Sequence, residues 1–440
     1  MKYTFPSFFF LLLSIAYSNA SAQGIITTIA GGGSGGSGSL ATNAALTGPN
    51  DVYVDDTGNI YIAEDYYLWK VEAATGIIKI LAGNGNCLVG GDGIPLSQAR
   101  FCGASAIAAD KQGNLYIADQ GNFTVRKIDK TTGIISKYAG NFSNGYSGDG
   151  GLAVNAQLRG PRDIAFDTAD NMYIADEYYM IRRVDRQTGI ITTIAGDGIQ
   201  GTWSNGDTAS KSRIGAGRGI CVDNMGNIYF TDPNDRKIGK INTHGILSTY
   251  CGTGIAGITG DGGLAINAPT YASVKLRMDK HDNMYFGDGC RVIRKINYLT
   301  GIIERIAGGN VAGDAGEGGA PLNALLNCPV SVFLDKKNNA FIGDALNYKV
   351  KKIAGVVGVD VVQPIFFNIY PNPSNGIFTI ACEKTIDNIE ITNLLGQSIC
   401  KLQPKNSRTT VNITGQPDGV YIVSVLADKR MTSQKILIHH

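Results

Sequence analysis

The side chains with the most chemical potential in this sequence are carboxylates set at a fixed spacing. Glu64, Asp119, Asp176, Asp232, Asp288 and Asp344 occupy one position of a recurring motif, and Asp55, Asp110, Asp167, Asp223, Asp279 and Asp335 occupy another. Calcium would need about 6–8 converging oxygens. A catalytic carboxylate is needed once, whereas these occur in every copy. An Asp at a strand end accepts backbone N–H bonds in the turn, so both sets read as structural. Histidine is scarce: His439 and His440 end the chain, and His244 and His281 sit in hairpin turns that other copies fill with Thr or Gln. A histidine zinc site needs several clustered ligands. No such cluster is visible, nor a Ser-His-Asp or Cys-His arrangement, a phosphate loop or a dinucleotide fingerprint. No metal and no cofactor are expected. The glycine-rich run Gly31–Gly38 follows a strand without opening a helix and reads as a flexible connector.

The motif that carries the carboxylates is NIYIAE from Asn59, then NLYIAD, NMYIAD, NIYFTD, NMYFGD and NAFIGD, at intervals of 55, 57, 56, 56 and 56 residues. A period of this length marks a propeller or solenoid. Each copy has four short segments with alternating apolar residues, separated by Gly and Asn turns, which is the pattern of antiparallel hairpins. Four strands per copy make a propeller blade. The fourth-strand motif begins at Gly76, Gly133, Gly189, Gly245 and Gly301, and the last copy has none after it. A sixth version, GIITTIAG, stands at Gly24–Gly31. Placed on the last blade, it would close the ring and cover an exposed edge. The expected fold is all-β: a six-bladed β-propeller over 23–355, its N-terminal strand closing the last blade, then a linker at 356–367 and a small Ig-like β-sandwich at 368–440.

Strand directions alternate within a blade. The long connectors between blades, with elements such as GDGGLAVNA at Gly148, therefore emerge on the same face as the turns after the second strands. Loops on a rigid scaffold carry function, so ligand-binding candidates are the non-repeated residues there: Tyr66, Tyr67, Tyr178, Tyr179 and Trp203, with Arg162 and Arg218 on neighbouring innermost strands. Two arginines could hold a carboxylate or sulfate bidentately, and exposed tyrosines suit glycan or protein contact. The alternative for each is packing between blades. Eight cysteines suit an oxidising compartment. Cys87 and Cys102, in one connector, are the first disulfide candidate, and Cys382 with Cys400 is a second. Cys221 and Cys251 fall on the innermost and outermost strands of one blade, ~14 Å apart, too far to pair.

The unit from Gly148 to Gly196, GDGGLAVNAQLRGPRDIAFDTADNMYIADEYYMIRRVDRQTGIITTIAG, resembles the bacterial NHL-repeat propellers. The resemblance implies a propeller, and this fold hosts binding modules and enzymes alike. The tail is similar to the C-terminal sorting domain (type A) of type IX secretion substrates. The matching residues are Pro371, Asn372, Pro373 and Gly376 in YPNPSNG, Gly396 in NLLG, Gly419 and Tyr421 in PDGVY, and Lys435 in KILI. The resemblance implies recognition by the outer-membrane translocon, and release from or attachment to the surface of a Gram-negative cell.

The first 22 residues read as a secretory signal: Lys2, the apolar run Phe8–Ile15, and the small-residue site Ala20-Ser21-Ala22. No stretch is long enough to span a bilayer as a helix. A net charge of +2, from 39 basic and 37 acidic residues, gives no reason to expect nucleic acid. The expected function is a secreted or cell-surface binding protein that takes a protein or glycan on the propeller's loop face. The alternative is a lyase or lactonase-like propeller enzyme, which would require a metal-assisted site in the central channel.

Overall fold

A computed structural model describes residues 24–88, 91–272, 274–355, 367–393, 397–427 and 430–440. Residues 1–22, read above as a signal, most of the expected linker and Gly396 lie outside these. The described residues fall into two compact units, 24–355 and 367–440.

The first unit is a ring of six antiparallel sheets. We number the blades in chain order. Blade 1 is 51–82, blade 2 is 104–139, blade 3 is 161–195, blade 4 is 220–251 and blade 5 is 276–307. Blade 6 takes three strands from 329–353 and its outermost strand from Ile26–Gly31. That strand runs antiparallel to Lys349–Ile353, with Ile26 opposite Ile353 and Gly31 opposite Lys349. The apolar faces of neighbouring blades fill the space between them. Tyr116 of blade 2 meets Phe166 of blade 3 edge-on at 4.9 Å, for example.

The connectors are built as strictly as the blades. Before blade 3, Gly150 N–H bonds Ile191 O and Ile191 N–H bonds Gly151 O, so the GDGG segment covers the outermost strand. Gly206 and Asp207 do the same with Leu247, Gly262 and Gly263 with Ile303, and Gly318 and Gly319 with Ile26. The run Gly31–Gly38, expected to be flexible, is the first copy of this device. Gly38 N–H bonds Ile78 O, and Ser37 Oγ accepts Ile80 N–H at 3.1 Å. Its lack of an acid hid the equivalence.

Both carboxylate sets hold backbone. Asp110 Oδ1 accepts the N–H groups of Gln112 and Asn114, and Oδ2 accepts Asn114 Nδ2 and Tyr116 Oη. At the second-strand ends, the acid accepts an N–H from the connector arriving over it: Thr47 to Glu64, Cys102 to Asp119, Arg159 to Asp176, Gly215 to Asp232, Tyr271 to Asp288 and Asn327 to Asp344. Burial pushes Asp119, Asp176, Asp232 and Asp344 up to about 6.

The tail is one curled sheet. Ile377–Asn393, which the sequence suggests as two strands, is a single strand with a register break between Ala381 and Ile386. Its first half pairs with Phe367–Tyr370 and Asn406–Asn412, its second with Ser398–Leu402 and Gly419–Ala427. Arg430–Ile438 completes the sheet. Both halves close on one core that includes Phe378, Ile380, Ile391, Val423 and Ile436. Residue 367, expected in the linker, opens the first strand.

Two disulfides are present, Cys87–Cys102 and Cys290–Cys328. The second joins a turn of blade 5 to the connector entering blade 6, and sequence spacing gave no hint of it. Cys382 and Cys400 are unpaired, as are the buried Cys221 and Cys251.

Two outcomes test this architecture. Ile26→Ala, at a fully buried position, should cost about 2–4 kcal/mol in chemical denaturation, while Ile25→Ala, at a 55% exposed one, should stay within about 0.5 kcal/mol. Equal effects would mean that the first strand is not seated in blade 6. Non-reducing peptide mapping should recover the 87–102 and 290–328 bridges, and Cys290→Ser with Cys328→Ser should lower stability by about 2–4 kcal/mol.

Candidate functional site

The innermost strands line the channel, and their first facing positions are Asp51, Ala106, Asp163, Gly219, Lys275 and Ser331 in blades 1 to 6. Odd blades carry charge and even blades carry small residues. Two positions further along blade 5, Arg277 reaches across. It donates from Nη2 to Asp51 at 2.7 Å and from Nη1 to Asp163 at 3.0 Å. Lys275 Nζ lies 3.9 Å from Asp51 and 3.7 Å from Asp163, and donates to Arg162 O at 3.0 Å. The carboxylates also accept N–H groups from the following blades, Ile107 to Asp51 and Ile220 to Asp163.

This cluster has two negative and two positive charges and no excess. Burial raises the Asp51 carboxyl against the pull of Arg277 and Lys275, and burial lowers Lys275. Burial also opposes the Arg277 charge, but Asp163 and Asp51 outweigh it and hold that guanidinium ionised. The ion pairs therefore tie blades 1, 3 and 5 together across the channel. Sequence reasoning missed these four residues. The signal was present in the register of the innermost strands, where the repeat breaks its own rule. Among the described residues, no three His, Cys, Asp or Glu side chains group to hold a metal.

The connector face carries the other non-repeated residues. Tyr66 is 39% and Tyr178 38% exposed. Tyr67 is half-buried and packs on Trp69 at 5.6 Å, and Tyr179 is half-buried with its ring 6.1 Å from that of Tyr178. Trp203 is buried, its indole 5.3 Å from Phe230, so it belongs to the core between blades 3 and 4 and is not on the surface. The Phe230 ring in turn occupies the room left by Gly239, where a Cβ would meet it at 2.5 Å. Arg162 is paired with Glu177 at 2.5 Å, while the Arg218 side chain is exposed. The two arginines thus differ in state: one is already neutralised.

In the tail, the sorting-motif residues converge on the last strand. Asn372 Nδ2 donates to Lys435 O at 3.1 Å, and its Oδ1 accepts Leu437 N–H at 3.0 Å. Pro371 and Pro373 flank this residue. At Gly376, with φ of 94°, a Cβ would lie 2.6 Å from Thr414 Cα, so only glycine fits. Tyr421 Oη donates to Pro417 O at 2.8 Å, two residues before Gly419. His439 and His440 both rest on Asp418 at 2.8 Å, which explains how two polar residues end an apolar strand.

Residues 368–439 match the family described as the secretion system C-terminal sorting domain, and residues 135–205 match the teneurin NHL domain. NHL repeat-containing protein 2 of Homo sapiens is 28% identical over 179 residues, 38% of this chain and 24% of that protein. Teneurin-1 of Gallus gallus is 26% identical over 270 residues, 54% of this chain and 10% of that protein. The chain thus spans a quarter or less of these curated relatives. A Bacteroides thetaiotaomicron VPI-5482 protein of unknown function has a TM-score of 0.57 at 20% identity, over 76% of each chain. An auxiliary nutrient binding protein from Bacteroides ovatus ATCC 8483 has a TM-score of 0.55 at 18% identity, over 75% of this chain and 76% of that one. At such identities the structural likeness speaks for the fold alone. The sorting domain marks the chain as cargo of the type IX secretion machinery, bound for the cell surface or beyond. Strand order and repeat make residues 24–355 a six-bladed β-propeller with an NHL-type match at 135–205, and residues 368–439 carry the secretion system C-terminal sorting domain.

Proposed function

We propose that this protein is exported from a Gram-negative cell in two steps, first by a signal segment at 1–22 and then by its tail. Outside, the propeller acts as a binding module that takes a protein or glycan on the connector face. The observation that carries this reading is the division of charge within the ring. The channel cations are consumed by Asp51 and Asp163, whereas non-repeated aromatic and cationic side chains stand exposed on the connector face. Ion pairs across the channel also give the face a rigid floor, which lowers the ordering cost of binding. A protein of the same fold named for nutrient binding is in keeping with such a role.

Export is tested by truncation. A chain ending at residue 355 should remain in the periplasmic fraction, while the full chain reaches the medium or surface; equal delivery of both would end the assignment of the tail. Binding is tested by glycan array and pull-down with the secreted protein. Arg277→Ala should cost about 3–5 kcal/mol of stability, because it strips partners from buried carboxylates, yet leave binding by the folded fraction unchanged. Tyr66→Ala and Tyr178→Ala should do the reverse, weakening binding with stability within about 0.5 kcal/mol. If folded Arg277→Ala protein loses binding and the tyrosine variants keep it, the site is the channel.

A further inference from the structure

The six residues whose N–H groups meet the second-strand acids are Thr47, Cys102, Arg159, Gly215, Tyr271 and Asn327. Arg159 is the one cation among them. Its backbone is pinned by both oxygens of Asp176, each at 3.0 Å. Its guanidinium carbon lies 3.8 Å from the Tyr178 ring centroid and 5.8 Å from that of Tyr146. Its Nε is buried without a hydrogen-bond partner. No carboxylate among the described residues pairs with it, although Arg162, Arg182, Arg277 and Arg294 each have one. The neighbouring acid, Glu177, is held by Arg162 and by Gln120 Nε2 at 2.8 Å.

An arginine fixed by aromatic faces, with its charge uncompensated, is a preformed fork for a planar or tetrahedral anion. The rings that hold it are themselves displayed, Tyr146 at 58% and Tyr178 at 38% exposure. Tyrosine offers an apolar face and a polar tip together, which matches the alternating C–H and hydroxyl surface of a pyranose. We propose that Arg159, Tyr146 and Tyr178 form a site on blade 3 for anionic sugar chains, in which Arg159 takes the carboxylate or sulfate and the tyrosines take the ring. This assignment rests on the binding reading above and names its ligand class.

Titration of the full chain with polygalacturonate, heparin and neutral dextran tests it, and the first two separate a carboxylate from a sulfate as the anion. Binding to at least one charged polymer is expected, weakened by salt, with none to dextran. Arg159→Ala should lower affinity about ten- to a hundredfold. Arg159→Lys, which keeps the charge but not the fork, should stay well below wild type. Tyr146→Ala should weaken binding several-fold, with circular dichroism unchanged in every variant scored. Equal binding of dextran, wild-type affinity in folded Arg159→Ala protein, or equal competition by polyglutamate would each overturn the assignment. A chain that binds some other glycan or protein through Tyr66, with Arg159→Ala unaffected, ends this site and leaves the binding module standing. A chain that binds nothing in any panel ends both.

Discussion

The ring depends on one antiparallel ladder, Ile26–Gly31 against Lys349–Ile353. Five blades receive their outermost strand from a local hairpin, which costs little loop entropy. The sixth receives it from the far end of the unit, Ile26 lying 327 positions from Ile353, and that contact is slow to form and expensive in chain entropy. Its return is that Lys349–Ile353 is not left as an open edge. The connector treats the foreign strand as its own: Glu317 accepts both Thr28 N–H and Thr28 Oγ1, as Asp149 accepts Thr193 N–H in blade 3.

That acid belongs to a second system which explains the repeat. The third strands carry Trp69, Arg126, Arg182, Gly239, Arg294 and Lys351 at one position, and the connectors carry Ser37, Asp92, Asp149, Asn205, Asp261 and Glu317 opposite. In blades 3, 5 and 6 a cation with almost no exposed surface meets an acid: Arg182 with Asp149 at 2.6 Å, Arg294 with Asp261 at 2.9 Å, Lys351 with Glu317 at 3.3 Å; in blade 2 Arg126 donates to Gly91 O instead and Asp92 lies 3.9 Å from Lys137. Where the cation is lost, the acid is lost with it, in blades 1 and 4. A buried charge without its partner would cost several kcal/mol, so the two positions change together. Trp69 finds Glu64 Oε2 at 2.8 Å instead, and Trp203 with Phe230 fills blade 4.

Much of this was legible beforehand because repetition is a strong physical signal. Period, blade count and closing strand could be read from spacing, and the tail from the resemblance its motifs carry. What escaped was set by contacts between copies that spacing does not encode. Cys290 lies in a turn of blade 5 and Cys328 in the connector to blade 6, and they meet only once the connector folds back over that turn. Trp203 reads as a surface aromatic because its seat against Phe230 is made by the packing of two blades. Ile377–Asn393 reads as two strands because the polar stretch at its middle resembles a turn, yet the strand runs on through a register break. Gly31–Gly38 lost its acid and so its visible kinship with the other connectors.

The same logic separates residues that hold the protein together from those left for a ligand. A charge that recurs in step with its partner is part of the frame. Asp51, Asp163, Lys275 and Arg277 do not recur, but they answer one another and leave no charge over. Arg159 neither recurs nor has an ion-pair partner among the described residues. Keeping a half-buried guanidinium against an aromatic ring without a counter-charge opposes folding stability, and nothing in the ring needs it: five other blades make the same N–H contact with Thr, Cys, Gly, Tyr or Asn. A local cost with no structural return, placed beside displayed aromatic rings on the loop face, is the expected mark of a site whose missing partner comes from outside the chain.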